Sequence, residues 1–566
     1  MKKVVIFSLL LIVVLAFSAC GNGGGTDAGA GAGGEVTPAA GDAATPAAGA
    51  GDAASGAVNP AGVFPIVDEP ITISAFASHI GWVADFVDNR FTEWYEEFTN
   101  ISVDWQLVSP ADVETRLNLQ LAAGDLPDII IDPWVVTNTQ LVFFGDAGIF
   151  LPLNDMIDRY GIEIQRVLNG NPLVRQLITQ DNGNIYALPQ VDMCYHCLFP
   201  DKFWVYQPWL DELGLSKPTT TVEFTDMLRA FRDNIPNSIP LTGTQEGMNM
   251  PSITRFFMNS FIYTDEYMLK LVNDVVTPVF NTPEWREGLR FLNMLYNEGL
   301  LAGEAFTQDG AQMHALNGVD GIRIGSFPSL VSWGALSGGP GDPEWTNYTP
   351  ITPLQGPGGV RYARHRAYSQ GYMNAFIITH TNPFPEASFR WADAMYDMEI
   401  TMRKYYGRID QEIRFANPDE IGINGLPAIW TILTESGAEH DQPNHAAWAH
   451  IGPHYRSADF RHGQTVEAGV PHPEKVLYLA TRDYFEPFAP LLSTILPPPT
   501  FTEQQANDLM DVQVTINNHV SEMFALFVLG IACLDNDWDS YVQNLDAMGL
   551  DRFVQIHQDA FLSRWR

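Results

Sequence analysis

Short alternating runs and longer periodic ones succeed each other along this chain. ITISAF (71–76) alternates apolar and polar positions, which predicts a strand. Phe91, Trp94, Tyr95 and Phe98 then recur at helical spacing, and ISVDWQLV (101–108) returns to strand character. Val113, Leu117 and Leu121 repeat every four residues, so DVETRLNLQL is a helix with one apolar face. The stretch AAGDLPDIII (122–131) closes that helix and starts the next element. Gly124 can take the positive φ that ends a helix, and Pro127 forbids its continuation. Ile129 to Ile131 is too short for a second buried helix and too β-branched to prefer one, so it suits a strand buried on both faces. This β-α-β-α-β order predicts a parallel sheet with helices on its faces. Asp132-Pro133-Trp134 follow the carboxyl end of the third strand, where open α/β sheets take ligands.

Beyond this unit the texture changes. NIYALP (184–189) is expected as a further strand stopped by Pro189. Thr220-Thr221-Val222-Glu223 has the form of a capping box, opening a helix through Phe224, Leu228 and Phe231. Thr282 and Pro283 begin another, with Trp285, Leu289, Leu292 and Tyr296 inward. GIRIGSFPSLVSW (321–333) is expected as a strand with a loop after it, and MNAFIITH (373–380) as a buried strand. From Glu503 to Arg566 the chain is mostly helical, with Trp538, Tyr541 and Leu545 on one face. No repeat period is visible.

Length and charge narrow the class. A chain of 566 residues exceeds one hydrophobic core, so two lobes are the default. Its net charge of −36 argues against nucleic acid as a partner, since phosphates need a basic surface. A small basic pocket remains compatible with that charge, because net charge and local potential are separate quantities.

The N-terminus sets the compartment. Lys2 and Lys3 precede an apolar run from Val4 to Phe17 that is short for a membrane span. Phe17-Ser18-Ala19-Cys20 follows and resembles the lipobox of bacterial lipoproteins, although Phe17 departs from the usual Leu or Val. The resemblance implies a signal peptide over 1–20 and acylation of Cys20; an ordinary secretory signal is the alternative. Residues 21–62 are Gly, Ala, Thr, Pro and Asp with little to bury, so they are expected to be a disordered tether spanning about 35 Å on average. Gly29, Gly31 and Gly34 match GxGxxG there, but no strand precedes and no helix follows, so the match carries no dinucleotide site.

Six segments then resemble one family in order and spacing: LQLAAGDLPDIII; DNGNIYALPQ; WLDELGLSKPTTTVEFTDMLRAF followed by IPLTG; EGLRFLNMLYNEGL; PEASFRWADAMYD; and DWDSYVQNLDAMGLDRFVQIHQDAF. They are similar to the extracellular solute-binding proteins of ABC importers, specifically the large carbohydrate-binding lipoproteins that include alginate-oligosaccharide binders. The resemblance implies a two-lobed α/β fold of the type II periplasmic-binding-protein kind, with a hinge of several chain crossings and a helical C-terminal region. On that basis lobe 1 is expected over 63–190 plus about 352–415, and lobe 2 over 191–351 plus about 416–566. The implied role is non-enzymatic: capture of an oligosaccharide or related sugar by a monomer anchored through lipid on the outer face of the cytoplasmic membrane, and delivery to the permease. No cofactor is expected. Many relatives carry a calcium loop between the AFR-like helix and the IPLTG-like strand. Here that interval is Asp233-Asn234-Ile235-Pro236-Asn237-Ser238, too poor in oxygen ligands for calcium, so no metal is expected.

Sugars pair apolar ring faces with edges of hydroxyls, so their sites need aromatic platforms and planar polar groups. Candidates stand at the ends of predicted strands or at the crossings: His79 and Trp82 after the first strand, Asp132 and Trp134 after the third, Asp192 after YALPQ, and Trp333 and Tyr368 flanking the middle crossing. Each of these side chains can equally pack in a core. Arg361, Arg364, His365 and Arg366 form a basic cluster; Arg366 joins the candidates as a fork for a carboxylate such as a uronic acid, against the plainer reading of a loop that neutralises nearby acids. Cys194-Tyr195-His196-Cys197 is a CxxC open to a disulfide, a redox pair or half a metal site, and is taken as structural, leaving Cys533 buried and unpaired. His440, His445, His450, His454 and His462 crowd one region, where Gly452 and Pro453 break any shared helix face. An exported glycosidase is the competing function, and a binder of peptides or other solutes on the same fold is the third. Neither GxSxG nor HExxH occurs.

Overall fold

Ile129, Ile130 and Ile131 are wholly buried, and the sheet that buries them organises one half of the molecule. This computed structural model describes residues 58–244, 253–318, 321–433 and 444–566. The signal peptide, Cys20, the GxGxxG match, His440 and the tether as far as residue 57 lie outside the described residues.

The strands among the described residues are, in chain order, β1 Ile71–Ser78, β2 Ile101–Val108, β3 Ile129–Ile130, β4 Leu188–Asp192, β5 Phe203–Tyr206, β6 Leu269–Val272, β7 Val275–Pro278, β8 Ser326–Pro328, β9 Tyr348–Pro350, β10 Gly371–Ile378, β11 Ile413–Phe415, β12 Trp430–Ile432 and β13 His454–Arg456. Six of them form the main sheet in the order β13-β4-β10-β3-β1-β2. β1 pairs in parallel with β2 and β3, and β4 with β13. The expected all-parallel sheet is corrected at β10, which runs antiparallel to both β3 and β4. A returning chain supplies it, and periodicity cannot show which strands a returning segment separates.

The local signals set the helices. Gly124 caps Val113–Ala123 at φ 72°, as the αL position requires. Thr220 and Glu223 complete a reciprocal capping box on Thr221–Asn234, and the Thr282 hydroxyl caps Pro283–Asn297. The strand expected at 184–189 lies instead at 188–192, and Pro189 does not stop it. The β4–β10 register shifts between Tyr372 and Phe376, so the missing N–H of Pro189 falls where the ladder is interrupted. Residues 58–62, expected in the tether, fold back on the body: Val58 bridges Val67, and Arg390 donates to the carbonyls of Asn59 and Val63.

Two large cores result. One gathers β1, β3 and β10 side chains such as Ile73, Ile129 and Phe376 with the helix faces of Phe91, Tyr95 and Trp391, and extends to Trp448 and Ile451. The other joins Phe203–Tyr206, Phe224, Leu228, Leu289 and Leu292 to the C-terminal helices Glu503–Val528, Trp538–Ala547 and Leu550–Trp565. Core membership changes along the chain between Val191 and Phe199, between Ala363 and Phe376, and between Ile451 and Leu477. The fold is thus two α/β lobes with a helical C-terminal region.

Candidate functional site

The middle crossing, from Arg364 to Asn374, forms the back of a cavity of 380 Å³. Pro133, Thr137 and Asn138, just past β3, wall it from the first lobe together with Tyr372 to Asn374 on β10. Asp265, Glu266, Tyr267, Ile495, Leu496 and Thr500 wall it from the second. Gly371 makes this geometry attainable. Its φ is +113°, and a Cβ there would sit 2.2 Å from the Gln190 carbonyl oxygen.

The wall offers aromatic faces and fixed polar groups. Tyr372 is 40% exposed and meets the Trp134 ring edge-on at 5.7 Å. Tyr368 packs edge-on to Trp565 at 5.0 Å, and burial raises its pKa above the ordinary phenol value. Asn374 donates to the Val136 carbonyl at 3.0 Å and to Asn138 Oδ1 at 2.8 Å, tying the two first-lobe segments together. Arg564 spans the lobes. From the last helix it donates to Thr500 Oγ1 at 2.6 Å and to the carbonyls of Gln176, Leu177 and Thr179 at 2.6, 3.0 and 3.1 Å. Those carbonyls end the helix Pro172–Ile178, where a cation also meets the favourable end of the helix dipole.

The basic cluster separates on folding. Arg361 lies over the Phe488 ring at 4.1 Å and donates to the Pro353 carbonyl at 2.7 Å. Arg364 is buried, with Nε 2.5 Å from Asp201 Oδ2 and Nη1 2.9 Å from Glu266 Oε2. His365 stacks on Phe199 at 4.6 Å, and burial lowers its pKa below the ordinary imidazole value. Arg366 reaches the cavity, with its Nε 3.3 Å from Glu266 Oε2.

Arg366 and Tyr368 are thus brought together in one cavity, and Trp134 stands against its wall through Tyr372. The other nominated residues lie elsewhere. Asp132 is buried and turned inward, accepting from the Ser78 N–H at 2.9 Å, the Ser78 hydroxyl and the Trp134 N–H at 2.8 Å. His79 is exposed beyond β1, and Trp82 rests against the His450 ring at 4.8 Å. Trp333 packs edge-on to Trp345 at 5.8 Å beside the second core. Asp192 sits at the first crossing. Burial pushes its pKa up, but Arg456 at 3.1 Å and Arg461 at 2.8 Å hold it below the usual carboxylate value. Tyr372, Tyr267 and Glu266 are cavity residues that sequence reasoning missed; the expected strand began at Met373, one residue too late to include Tyr372.

Cys194 and Cys197 form a disulfide at the first crossing. Cys533, expected to be buried, is exposed and free; it lies just past the end of the helix Glu503–Val528. His454 belongs to β13, with Nδ1 3.1 Å from the Lys404 ammonium, while His450 meets Tyr405. Among the described residues no helix is long and apolar enough to cross a membrane.

Two lobes joined by chain crossings, with a polar and aromatic cavity walled by both, define a hinged binding protein. The chain belongs to the family of bacterial extracellular solute-binding proteins, whose model matches residues 77–400, more than half of its length. It is similar to the fructooligosaccharide ABC transporter substrate-binding protein FusA of Streptococcus pneumoniae, at 22% identity over 480 residues covering 82% of this chain and 85% of FusA. The structure of FusA in complex with kestose superimposes with a TM-score of 0.68 at 20% identity, covering 86% of this chain and 98% of that one. A human-milk-oligosaccharide (HMO) binding, ABC-transporter-associated protein from Bifidobacterium longum infantis gives 0.73 at 20% identity, covering 88% and 99%. The alginate-binding protein AlgQ2, solved without calcium ion, gives 0.63 at 20% identity, covering 88% and 98%. These are binding proteins and not enzymes, as the sequence led us to expect.

Proposed function

We propose that this protein captures an oligosaccharide in the cavity between its lobes and delivers it to the permease of an ABC importer, held to the membrane by lipid on Cys20. The observation that carries the reading is the cavity itself. It lies in the range of small-molecule sites, and its lining brings Tyr372, Tyr368 and Arg366 together. That pairing of apolar plane and hydrogen-bonding edge is what a pyranose or furanose ring presents in reverse. Similarity to binders of fructooligosaccharide and human-milk oligosaccharide supports the same cargo class. Ligand touching both walls favours the closed arrangement of a hinge, and closure is the signal a permease can recognise.

In this reading Trp134, Arg366, Tyr368 and Tyr372 contact the sugar, whereas Asp132 and Asp192 fix the segments that carry them. We place the described residues of 58–191 and 371–462 in lobe 1 and those of 199–363 and 473–566 in lobe 2. The described residues of 416–462 thereby go with lobe 1, since Trp430 and Phe460 pack with Met402 and Tyr405. The protein acts as a monomer. Thermal unfolding of the chain from Ala54 onward against mono-, oligo- and acidic saccharides tests the proposal. A binding sugar at a hundredfold excess over its Kd adds about 2.7 kcal/mol to the folded state. A rise in Tm with one sugar class and no product formed is expected. A response to peptides alone defeats the sugar assignment, and appearance of hydrolysed sugar favours the glycosidase.

A further inference from the structure

Cys194-Tyr195-His196-Cys197, at the first crossing, carries chemistry that the capture of cargo does not use. One ligand atom from each of Cys194, His196 and Cys197 lies within 4.8 Å of the others. His196 is buried, and its two ring nitrogens face different groups. Nε2 lies 3.5 Å from Cys194 Sγ, and Nδ1 lies 3.5 Å from Glu474 Oε2. Glu474 is itself held by Arg461 Nη2 at 3.2 Å. The turn is fixed by the Lys202 ammonium, which donates to the carbonyls of His196 and Phe199 at 2.7 Å each. The Cys197 N–H closes it onto the Cys194 carbonyl at 3.1 Å. Cys197 is only half-buried, which gives a reductant and a metal access.

A tetrahedral zinc site takes sulfur at about 2.3 Å and imidazole nitrogen at about 2.0 Å, which sets a sulfur–nitrogen edge of about 3.5 Å. The Cys194–His196 contact already has that length. A metal-bound imidazole is oriented by a carboxylate on its other nitrogen, the place that Glu474 holds. A histidine serving only to pair with Glu474 needs no sulfur at its second nitrogen. What excludes a metal is the bond between the two sulfurs, since neither is then a thiolate. A dithiol reductant removes that exclusion. It passes two electrons and two protons to the bridge, leaving the Cys194 and Cys197 thiols and becoming a disulfide itself. Zinc then displaces both thiol protons to solvent, and the sulfurs part to about 3.8 Å, the edge between two thiolates on one zinc. Two thiolates and a divalent cation sum to zero, as the disulfide does.

We propose that Cys194, Cys197 and His196 Nε2 form a redox-gated site for a thiophilic divalent cation such as zinc, shut as the disulfide and opened by a dithiol, with Glu474 orienting the imidazole and water in the fourth position. The proposal is independent of the cargo. Cobalt(II) titration of the protein carrying Cys533→Ser tests it, once oxidised and once after reduction by a phosphine, which adds no thiol of its own. Equimolar cobalt is expected to give sulfur-to-cobalt charge-transfer absorption and the strong visible bands of a tetrahedral site in the reduced protein alone, and zinc to abolish both. Cys194→Ser should remove the bands, and His196→Ala should weaken cobalt binding by more than about tenfold. No charge-transfer band after reduction, the same band in the oxidised protein, its persistence in Cys194→Ser, or a smaller loss in His196→Ala overturns the proposal. So does loss of the folded circular-dichroism spectrum on reduction, because no folded dithiol then exists to hold a metal.

Discussion

At the first crossing Asp192 takes Arg456 at 3.1 Å and Arg461 at 2.8 Å, and Arg461 reaches on to Glu474 at 3.2 Å. Beside the cavity Asp201, Arg364, Glu266 and Arg366 form a second row of the same make-up, two acids and two arginines. The rows differ in enclosure. Side chains of Arg456 and Arg461 are 3% and 8% exposed, while Arg366 ends the cavity row in the open. The hinge row also ties segments far apart in sequence: the end of β4, β13 and the helix Pro473–Ala480 that leads into the second lobe. An enclosed row can only position chain segments. A row with one open fork positions its neighbours and still has donors to offer, which is why the ligand is placed at the second and not the first.

Breaking the enclosed row should have the largest effect. Asp192→Ala removes the acid that the buried Arg456 and Arg461 share, leaving Glu474 to Arg461, and removing one partner of such a network costs about 3–5 kcal/mol. Denaturant unfolding should show this loss in the midpoint; a change below about 1 kcal/mol would mean the hinge arginines are solvated, and the contrast between the two rows would fail. Arg564 comes next. It carries no ion pair among the described residues, yet its hydrogen bonds join the last helix to first-lobe carbonyls across the cavity. Arg564→Ala should weaken the lobe contact by about 1–3 kcal/mol. Small-angle scattering is then expected to show a larger radius of gyration without ligand, with saturating ligand restoring the compact form. Identical scattering by variant and wild type would confine the positioning role to the hinge.

The sequence carried what neighbours in the chain decide. Alternation placed β1 and β2, the Gly124 and Thr220 signals placed helix ends, and the charged cluster was found where a crossing lies. What it lacked was direction in space. Asp132 stands at the carboxyl end of a sheet strand, as expected of a ligand residue, but its carboxylate turns back to Ser78. Arg364 and Arg366 look alike in sequence, and their fates part because Asp201, more than 160 residues away in the chain, buries one of them. Tyr372 became a wall residue because β10 enters between β3 and β4, a pairing between Ile130 and Ile377 that no local pattern records.

The smallest effect separates the rows by pH. Asp265, beside the cavity row, is 6% exposed. Burial raises its pKa from 3.8 to about 7, opposed by the Leu269 and Tyr267 N–H groups and reinforced by Glu266. The folded state thus holds a proton there that the unfolded chain releases near pH 3.8, so this group's contribution to stability falls as pH rises from about 4 toward 7. Asp192 has the opposite sign. Its folded pKa is depressed, so its contribution is present above the ordinary carboxylate range and is lost only as pH falls through that lowered value. Between about pH 7.5 and pH 5, therefore, His454 on β13, held well below the ordinary imidazole value by burial and by the Lys404 and Arg456 charges, takes stability away on acidification and cancels when two variants are compared, Asp192 does not respond, and Asp265 adds stability. Asp393, pushed up to about 6 by burial in the first lobe, acts in the same sense and cancels when two variants are compared. Wild type should gain a few degrees of Tm over Asp265→Asn on acidification across that interval, about 1 °C for each kcal/mol in a chain of this size. Parallel Tm curves would mean the Asp265 carboxyl stays ionised at neutral pH. The two rows would then share one acid-sensitive response in place of two opposed ones.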